Sequence, residues 1–183
     1  GLILPDGVFN NQGEQSNCPQ LRNYLVKHGR ILAVVSLPDY AFRKSGAQNK
    51  TSILFFKKFN YDQQISFERV YQSELTEGKT EEEAILAALS ANSYKVFMAE
   101  ANYVGYSSTG VLTEKNDLYR GSAGGHLSDD QTGTILGEYR RFCADSDNYI
   151  PTVNDCAGLD IYSVWAAHES HRLDPKSHLF RVQ

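Results

Sequence analysis

An α/β fold is predicted for this chain, and three observations predict it. Residues 31–37 (ILAVVSL) and 51–56 (TSILFF) are short runs, apolar on both faces and rich in β-branched and aromatic residues. Such runs belong in the middle of a covered sheet. A helical stretch precedes the first run and a further strand precedes the helix, so strand, helix and strand follow with short links. The chain also has 183 residues, 41% of them hydrophobic and 22% charged, enough to bury a core as one domain with an appended lobe.

The elements follow in order. Residues 1–5 (GLILP) read as a strand already under way, with no initiator Met and no lead-in. A first strand starting there lies at an exposed sheet edge, which natural sheets usually cover. The chain is therefore expected to be the C-terminal portion of a longer protein; a trimmed domain that begins abruptly is the plainer alternative. Residues 5–16, rich in Gly, Asn, Asp and Gln, form a loop. Asn17 offers a helix cap, and Pro19 sits in the first turn, where its missing N–H does no harm. Leu21, Tyr24, Leu25 and His28 share one helical face, and Gly29 stands where a left-handed stop belongs. The strand 31–37 follows at once and should run parallel to the first. The link to 51–56 is too short for another helical crossover, so that strand should run antiparallel.

Beyond Phe59 the pattern changes. Residues 61–78 are mixed and polar. Thr80-Glu81-Glu82-Glu83 is a capping box that opens a helix through Ala84, Ile85, Ala88 and Leu89, ending near Asn92. Residues 94–103 (YKVFMAEANY) form another strand, and 105–130 are loop-like. Ile135, Leu136, Tyr139 and Phe142 mark a helix, 145–158 return to loop, and 161–167 form a last strand or helix. No repeat or low-complexity tract is present.

Composition excludes several classes. A net charge of −4 argues against polyanion binding by the whole surface, so a nucleic-acid role needs a local basic patch. Cys18, Cys143 and Cys156 form no CxxC pair and leave one unpaired, which favours a reducing, cytoplasmic setting. No apolar run approaches membrane-spanning length, and no membrane partner is expected.

If 31–37 is a parallel strand, the loop after it leaves from the carboxyl end, where open α/β sheets bind ligands. That loop offers Tyr40, Phe42, Arg43, Lys44, Gln48, Asn49 and Lys50, a set suited to stacking on a base and contacting phosphate. Phe42 can equally plug the sheet end as core, and Arg43, Lys44 and Lys50 can equally be a solvated hairpin tip. Lys57 and Lys58 end a strand, and Thr51 can bond across the hairpin. Asp6 and Asn10 share the same sheet edge, but turn chemistry explains them as well. His168, Glu169, His171 and Asp174 have metal-like spacing without an evident third ligand, so no metal is expected. Residues 121–125 (GSAGG) lack the Lys-Ser/Thr of a phosphate loop and read as a flexible turn. No Ser-His-Asp or Cys-His arrangement has support.

The string GLILPDGVF, the helix LRNYLVKHG, AVVSLP, the aromatic loop and KTSILFFKK resembles the N6-adenine DNA methyltransferases of type I restriction-modification systems. More specifically, it is similar to the C-terminal part of their modification subunit. VFMAEANYVGYSSTG followed by KNDL resembles the segment that trails the catalytic domain. The likeness runs from Gly1 to about Asp117, with 39–58 its most distinctive stretch; HRLDPKSHLF resembles the junction into target-recognition regions.

The resemblance implies the last strands of a Rossmann-like S-adenosylmethionine-dependent sheet, parallel with an antiparallel final strand, followed by a mixed α+β extension. By this division 1–60 are the C-terminal part of the catalytic domain, 61–117 a trailing α/β segment of the same domain, and 118–183 a C-terminal extension, a subunit- or DNA-recognition junction. It also implies a flipped adenine, because the stacked duplex blocks approach to the methylated nitrogen. Phe42 is the closest match to the aromatic residue that stacks on that base, with Tyr40 its competitor. Arg43, Lys44 and Lys50 would contact DNA phosphates.

Departures limit the claim. The chain has neither an FxGxG cofactor loop nor an NPPF or NPPY motif, and Arg43-Lys44-Ser45-Gly46-Ala47 is longer and more basic than the family's GTG-like turn. The chain alone is expected to hold no catalytic residue, to bind no S-adenosylmethionine and to be inactive. The implied partners are double-stranded DNA, a DNA-specificity subunit and a restriction subunit. The rival reading is a non-catalytic DNA- or subunit-binding module, with Tyr119, Tyr139, Phe142, Trp165 and Phe180 as its surface. A third is a methyltransferase of the same fold that acts on RNA or protein.

Overall fold

The computed structural model describes residues 1–47, 49–121, 125–167 and 172–179. A five-stranded sheet runs β1 (Leu2–Pro5), β3 (Thr51–Lys58), β2 (Gly29–Ser36), β4 (Lys95–Glu100) and β7 (Cys156–Asp160) in spatial order. β3 is antiparallel to both β1 and β2, so those two run the same way with β3 between them. The expected directions hold, although the first two strands are not neighbours. β4 then adds parallel to β2, and β7 adds antiparallel to β4.

β1 is an edge strand, and its Leu2 and Ile3 are 52% and 55% exposed. The central strands bury both faces by alternation, which a register shift in β2 between Ile31 and Ala33 offsets by one residue. Ile31, Val34, Leu54, Val96 and Met98 point to one side, whereas Ala33, Val35, Ile53, Phe97 and Ala99 point to the other.

The first face is covered by α2 (Cys18–His28), α3 (Tyr61–Thr76), α4 (Glu81–Ala91) and α6 (Ile161–Ala166), with Trp165 fully buried among them. Burying each large apolar side chain there contributes about 1.5–3 kcal/mol. The second face carries α5 (Ile135–Ala144), whose Ile135 and Phe142 pack on Phe97. It is only partly covered. An apolar cavity of about 390 Å³ remains beside α5, lined by Val35, Ile53, Phe55, Phe97, Leu127 and Tyr139 among others.

Several local expectations need correction. The loop 5–16 holds a short helix, α1 (Gly7–Asn10), and a 3-10 turn, Glu14–Ser16. Asn17 precedes α2 but makes no side-chain cap, because it sits in the left-handed region at φ 56°; the Ser16 hydroxyl accepts the Cys18 N–H instead. The buried face of α2 is Arg22, Leu25 and Val26, while Tyr24 stacks on His28 outside. Gly29 is not a left-handed stop. It is extended and begins β2, where close approach of Phe56 leaves no room for a Cβ.

Residues 61–78, read as mixed, contain the 16-residue α3. Its start is fixed by a reciprocal Asn60–Gln63 capping box, and its Phe67 and Tyr71 are buried one turn apart. The loop-like 105–130 contain a small hairpin of β5 (Val104–Tyr106) and β6 (Leu112–Asn116). β7 was missed inside the second loop, and 161–167 resolve as helix rather than strand.

Candidate functional site

β1, β2 and β4 all end at one rim, where Pro5 stands opposite Thr51, and Ser36 opposite both Ser52 and Glu100. The loop 37–50 leaves from this rim. At its base the Leu37 N–H donates to the Thr51 carbonyl at 3.1 Å, and the Asp6 N–H donates to the Lys50 carbonyl at 2.9 Å. The Thr51 hydroxyl, expected to bond across the hairpin, is buried without a partner among the described residues.

Asp6 organises the first half of the rim. Its carboxylate accepts from the Ser52 hydroxyl at 2.8 Å and from the Asn10 amide at 2.9 Å. Turn chemistry and a tertiary contact therefore operate together at this residue. Glu100 organises the second half. It is 5% exposed, and its carboxylate lies 3.7 Å from the Lys50 ammonium and 3.3 Å from that of Lys176, in α7 (Pro175–His178). Burial, then the neighbouring Lys176, hold the Lys50 ammonium below its ordinary pKa. Burial, then the Asp6 charge, push the Asp174 carboxyl up.

The stacking candidates sit together on the loop. Phe42 is half-buried and packs on the second-face core beside Ala41 and Ile53. Tyr40 donates its hydroxyl to the Asn102 carbonyl at 2.9 Å, and its ring meets Tyr106 edge-on at 6.3 Å. Burial, then the Asp117 charge, raise the Tyr40 pKa. The Tyr106 hydroxyl in turn donates to the Ala41 carbonyl, so the small hairpin props the loop from behind. Phe42 opens a 3-10 turn, Arg43–Ser45, closed by Gly46 at φ 84°. Both charged tips are exposed: Arg43 stands 3.7 Å from Asp39, and the Lys44 stem lies across Gly110.

Phe42, Tyr40, Arg43 and Lys44 are thus brought together, whereas Lys50 turns inward to Glu100. Gln48, His168, Glu169, His171, Phe180 and most of 121–125 lie outside the described residues. Among the described residues no group of three or more His, Cys, Asp or Glu can hold a metal ion, and no helix is long and apolar enough to cross a membrane. Sequence reasoning missed Glu100 and Lys176. The available signal was a carboxylate closing the strand KVFMAE, since a buried charge needs a partner.

Among the described residues the rim carries no glycine-rich turn directly after a strand: Gly7 follows β1 with nothing nearer than 3.9 Å to a Cβ placed on it, and Gly46 stands alone in the loop after β2.

Comparison with known proteins completes the picture. No curated protein matches the chain. One similar solved structure concerns the complex assembly and conformational transition of the type I R-M system, at 14% identity and a TM-score of 0.49 over 96% of this chain. A second is a modification subunit assigned to a type I restriction enzyme from Vibrio vulnificus, at 11% identity and a TM-score of 0.38 over 93% of this chain. The chain spans 28% and 24% of those two chains. Residues 1–119 match the N-6 DNA methylase family, and the chain belongs to that family.

Proposed function

We propose that this chain is the C-terminal part of a DNA adenine-N6 methyltransferase, the modification subunit of a type I restriction-modification system. In this reading β1, β3 and β2 are the last strands of a Rossmann-like methyltransferase sheet, and the loop 37–50 is the adenine-stacking loop. The observation that carries the proposal is Phe42: a half-buried ring on a basic loop leaving the carboxyl rim, within the segment that matches the family.

Phe42 would offer its face to an extruded adenine, a contact worth about 1–3 kcal/mol. Tyr40, tied to Asn102, would hold the loop's shape. Arg43 and Lys44 would neutralise phosphates beside the extruded base, and Lys50 would act from the loop's base. S-adenosylmethionine would supply the methyl group in the full-length enzyme, held by residues other than these, so the 183-residue chain alone is inactive. Its partners would be double-stranded DNA and the specificity and restriction subunits, and its place the cytoplasm. Residues 61–117 would be a trailing segment of the same catalytic domain, and 118–183 would dock partners.

The test is Phe42→Ala in the full-length enzyme. Loss of stacking lowers DNA affinity or turnover while cofactor binding and melting temperature persist. Unchanged kinetics with lower thermal stability would return Phe42 to the core. One fact favours the second reading, a non-catalytic DNA- or subunit-binding module: neither FxGxG nor NPPF or NPPY occurs in these 183 residues. A full reading frame without NPPF or NPPY would support the module.

A further inference from the structure

The opposite end of the sheet holds a polar cavity that the loop 37–50 does not reach. It measures about 340 Å³ and lies between the starts of β2 and α3 and the residues after α4, lined by Arg30, Phe59, Gln63, Ser66, Asn92 and Tyr94 among others. Arg30 is half-buried, with its guanidinium carbon 4.5 Å from the centroid of the Tyr94 ring. Beyond that ring the guanidinium makes no hydrogen bond or ion pair among the described residues, and its Nε is shielded from solvent.

Guanidinium donors held away from water ordinarily have acceptors. The Tyr94 hydroxyl does not answer them, because it accepts the Ile31 N–H at 3.1 Å. A second donor lines the same cavity. The Gln63 side-chain oxygen accepts the Asn60 N–H at 3.1 Å, which leaves its amide nitrogen without an acceptor among the described residues. Two serines at the cavity are already engaged, Ser66 donating to Asn92 at 2.5 Å and Ser93 to Asp160 at 2.6 Å, and the Asp62 carboxylate also lines the cavity. Lys57 stands opposite Arg30 in the ladder, so a further positive charge shares that face.

We propose that this cavity binds a carboxylate, with the Arg30 fork and the Gln63 amide as its donors and the Tyr94 ring as the floor under the guanidinium. Planar carboxylates match the guanidinium fork with two parallel bonds, and ring stacking fixes the fork's orientation. A phosphate dianion suits the site less, because Asp62 also lines it and no lysine does. The carboxylate can arrive on a free small acid or on an acidic side chain.

The 183-residue chain, labelled with 15N, is titrated with succinate and separately with a blocked Ala-Glu-Ala peptide, with Ala-Gln-Ala and inorganic phosphate as controls. The Arg30 Nε–H resonance should shift saturably with succinate or the Glu peptide, half-saturating at about 1–10 mM. Arg30→Lys keeps the charge but loses the fork, and should weaken binding by about tenfold or more. Gln63→Leu, at a helix surface, gives an independent variant if Arg30→Lys does not fold. Response to succinate alone assigns a small acid; response to the Glu peptide alone assigns an acidic side chain. No saturable shift with either, an equal response to phosphate or the Gln peptide, or unchanged binding in the folded variants would overturn the site.

Discussion

The Lys50 ammonium lies 3.7 Å from the Glu100 carboxylate, so the last residue of the loop 37–50 is fastened to the end of β4. Lys176 reaches the same carboxylate at 3.3 Å. One buried acid therefore joins the loop, the sheet and α7.

Glu100→Gln should lower stability by about 1–3 kcal/mol, because two ammonium groups then share the site without their counter-charge. The figure stays below that of a fully buried pair because the Lys176 side chain is 45% exposed. Lys50→Met should cost less, since Glu100 keeps Lys176. The pH dependence follows from the lowered Lys50 pKa. Between its folded value and 10.5 the unfolded chain binds more protons, so this group's contribution to stability rises with pH. The buried Cys156 thiol and Tyr94 hydroxyl act in the opposite sense, so the test is the difference: between neutral pH and about pH 10, urea unfolding should show the parent chain gaining stability relative to Lys50→Met.

Glu138 is a deeply buried acid as well, 1% exposed on α5, in addition to Glu100 and Asp174. Its carboxylate accepts from the Tyr149 hydroxyl at 2.6 Å, the Thr152 N–H at 3.1 Å, the Thr152 hydroxyl, and Arg141 at 2.9 Å. Burial alone would raise its pKa; the Thr152, Tyr149 and Arg141 bonds outweigh that and lower it. A lowered carboxylate contributes stability above 4.5 that is lost as pH falls through the folded value. Glu138→Gln should therefore cost about 1–3 kcal/mol near neutral pH and flatten the acid limb of a melting-temperature profile. An unchanged acid limb would show that other carboxylates set it.

The strands that carry the loop were legible because both are continuous apolar runs: 31–37 is largely buried on both faces, and 51–56 buries Leu54 on one face while Ile53 and Phe55 lie on the partly covered other. The α4 start was legible from the Thr80–Glu83 box, which the structure forms with both bonds. α3 escaped because its exposed face holds Tyr61 and Ile65, which blur the helical period, although Asn60 and Gln63 spelled the cap. β7 escaped because CAGLD is short and its Gly158 exists for packing: a Cβ there would come within 2.8 Å of Tyr149. At the rim, the loop's aromatic and basic residues were visible as a set. Their inward and outward roles depend on Glu100 and Lys176, which lie 50 and 126 positions beyond Lys50 and which no local pattern links.

The three cysteines should react unequally. Cys156 is 2% exposed, and burial, then the Glu138 charge, push its thiol up to about 12. Thiolate is the reactive form, so Cys156 should stay unmodified in the folded chain, while the exposed Cys143 is alkylated first. Iodoacetamide labelling followed by peptide mass spectrometry reads this directly. Rapid labelling of Cys156 under native conditions would mean that β7 opens readily from the sheet edge.

Gly29 separates packing from backbone strain. A Cβ on it would come within 2.4 Å of the Phe56 ring and 2.6 Å of the Lys57 carbonyl oxygen, and a backbone atom cannot rotate away. Gly29→Ala should cost about 1–3 kcal/mol or more through overpacking between β2 and β3, although its extended backbone suits any residue. Gly46→Ala has the opposite cause. Nothing lies within 4 Å, but φ is 84°, so about 1–2 kcal/mol should arise from the left-handed backbone alone. Gly7→Ala, at a helical position with open space, should be neutral or stabilising by about 0.5–1 kcal/mol. Denaturant midpoints of the three variants test the set. If Gly29→Ala proved as mild as Gly7→Ala, the close contact between β2 and Phe56 would not fix where α2 ends and the sheet begins.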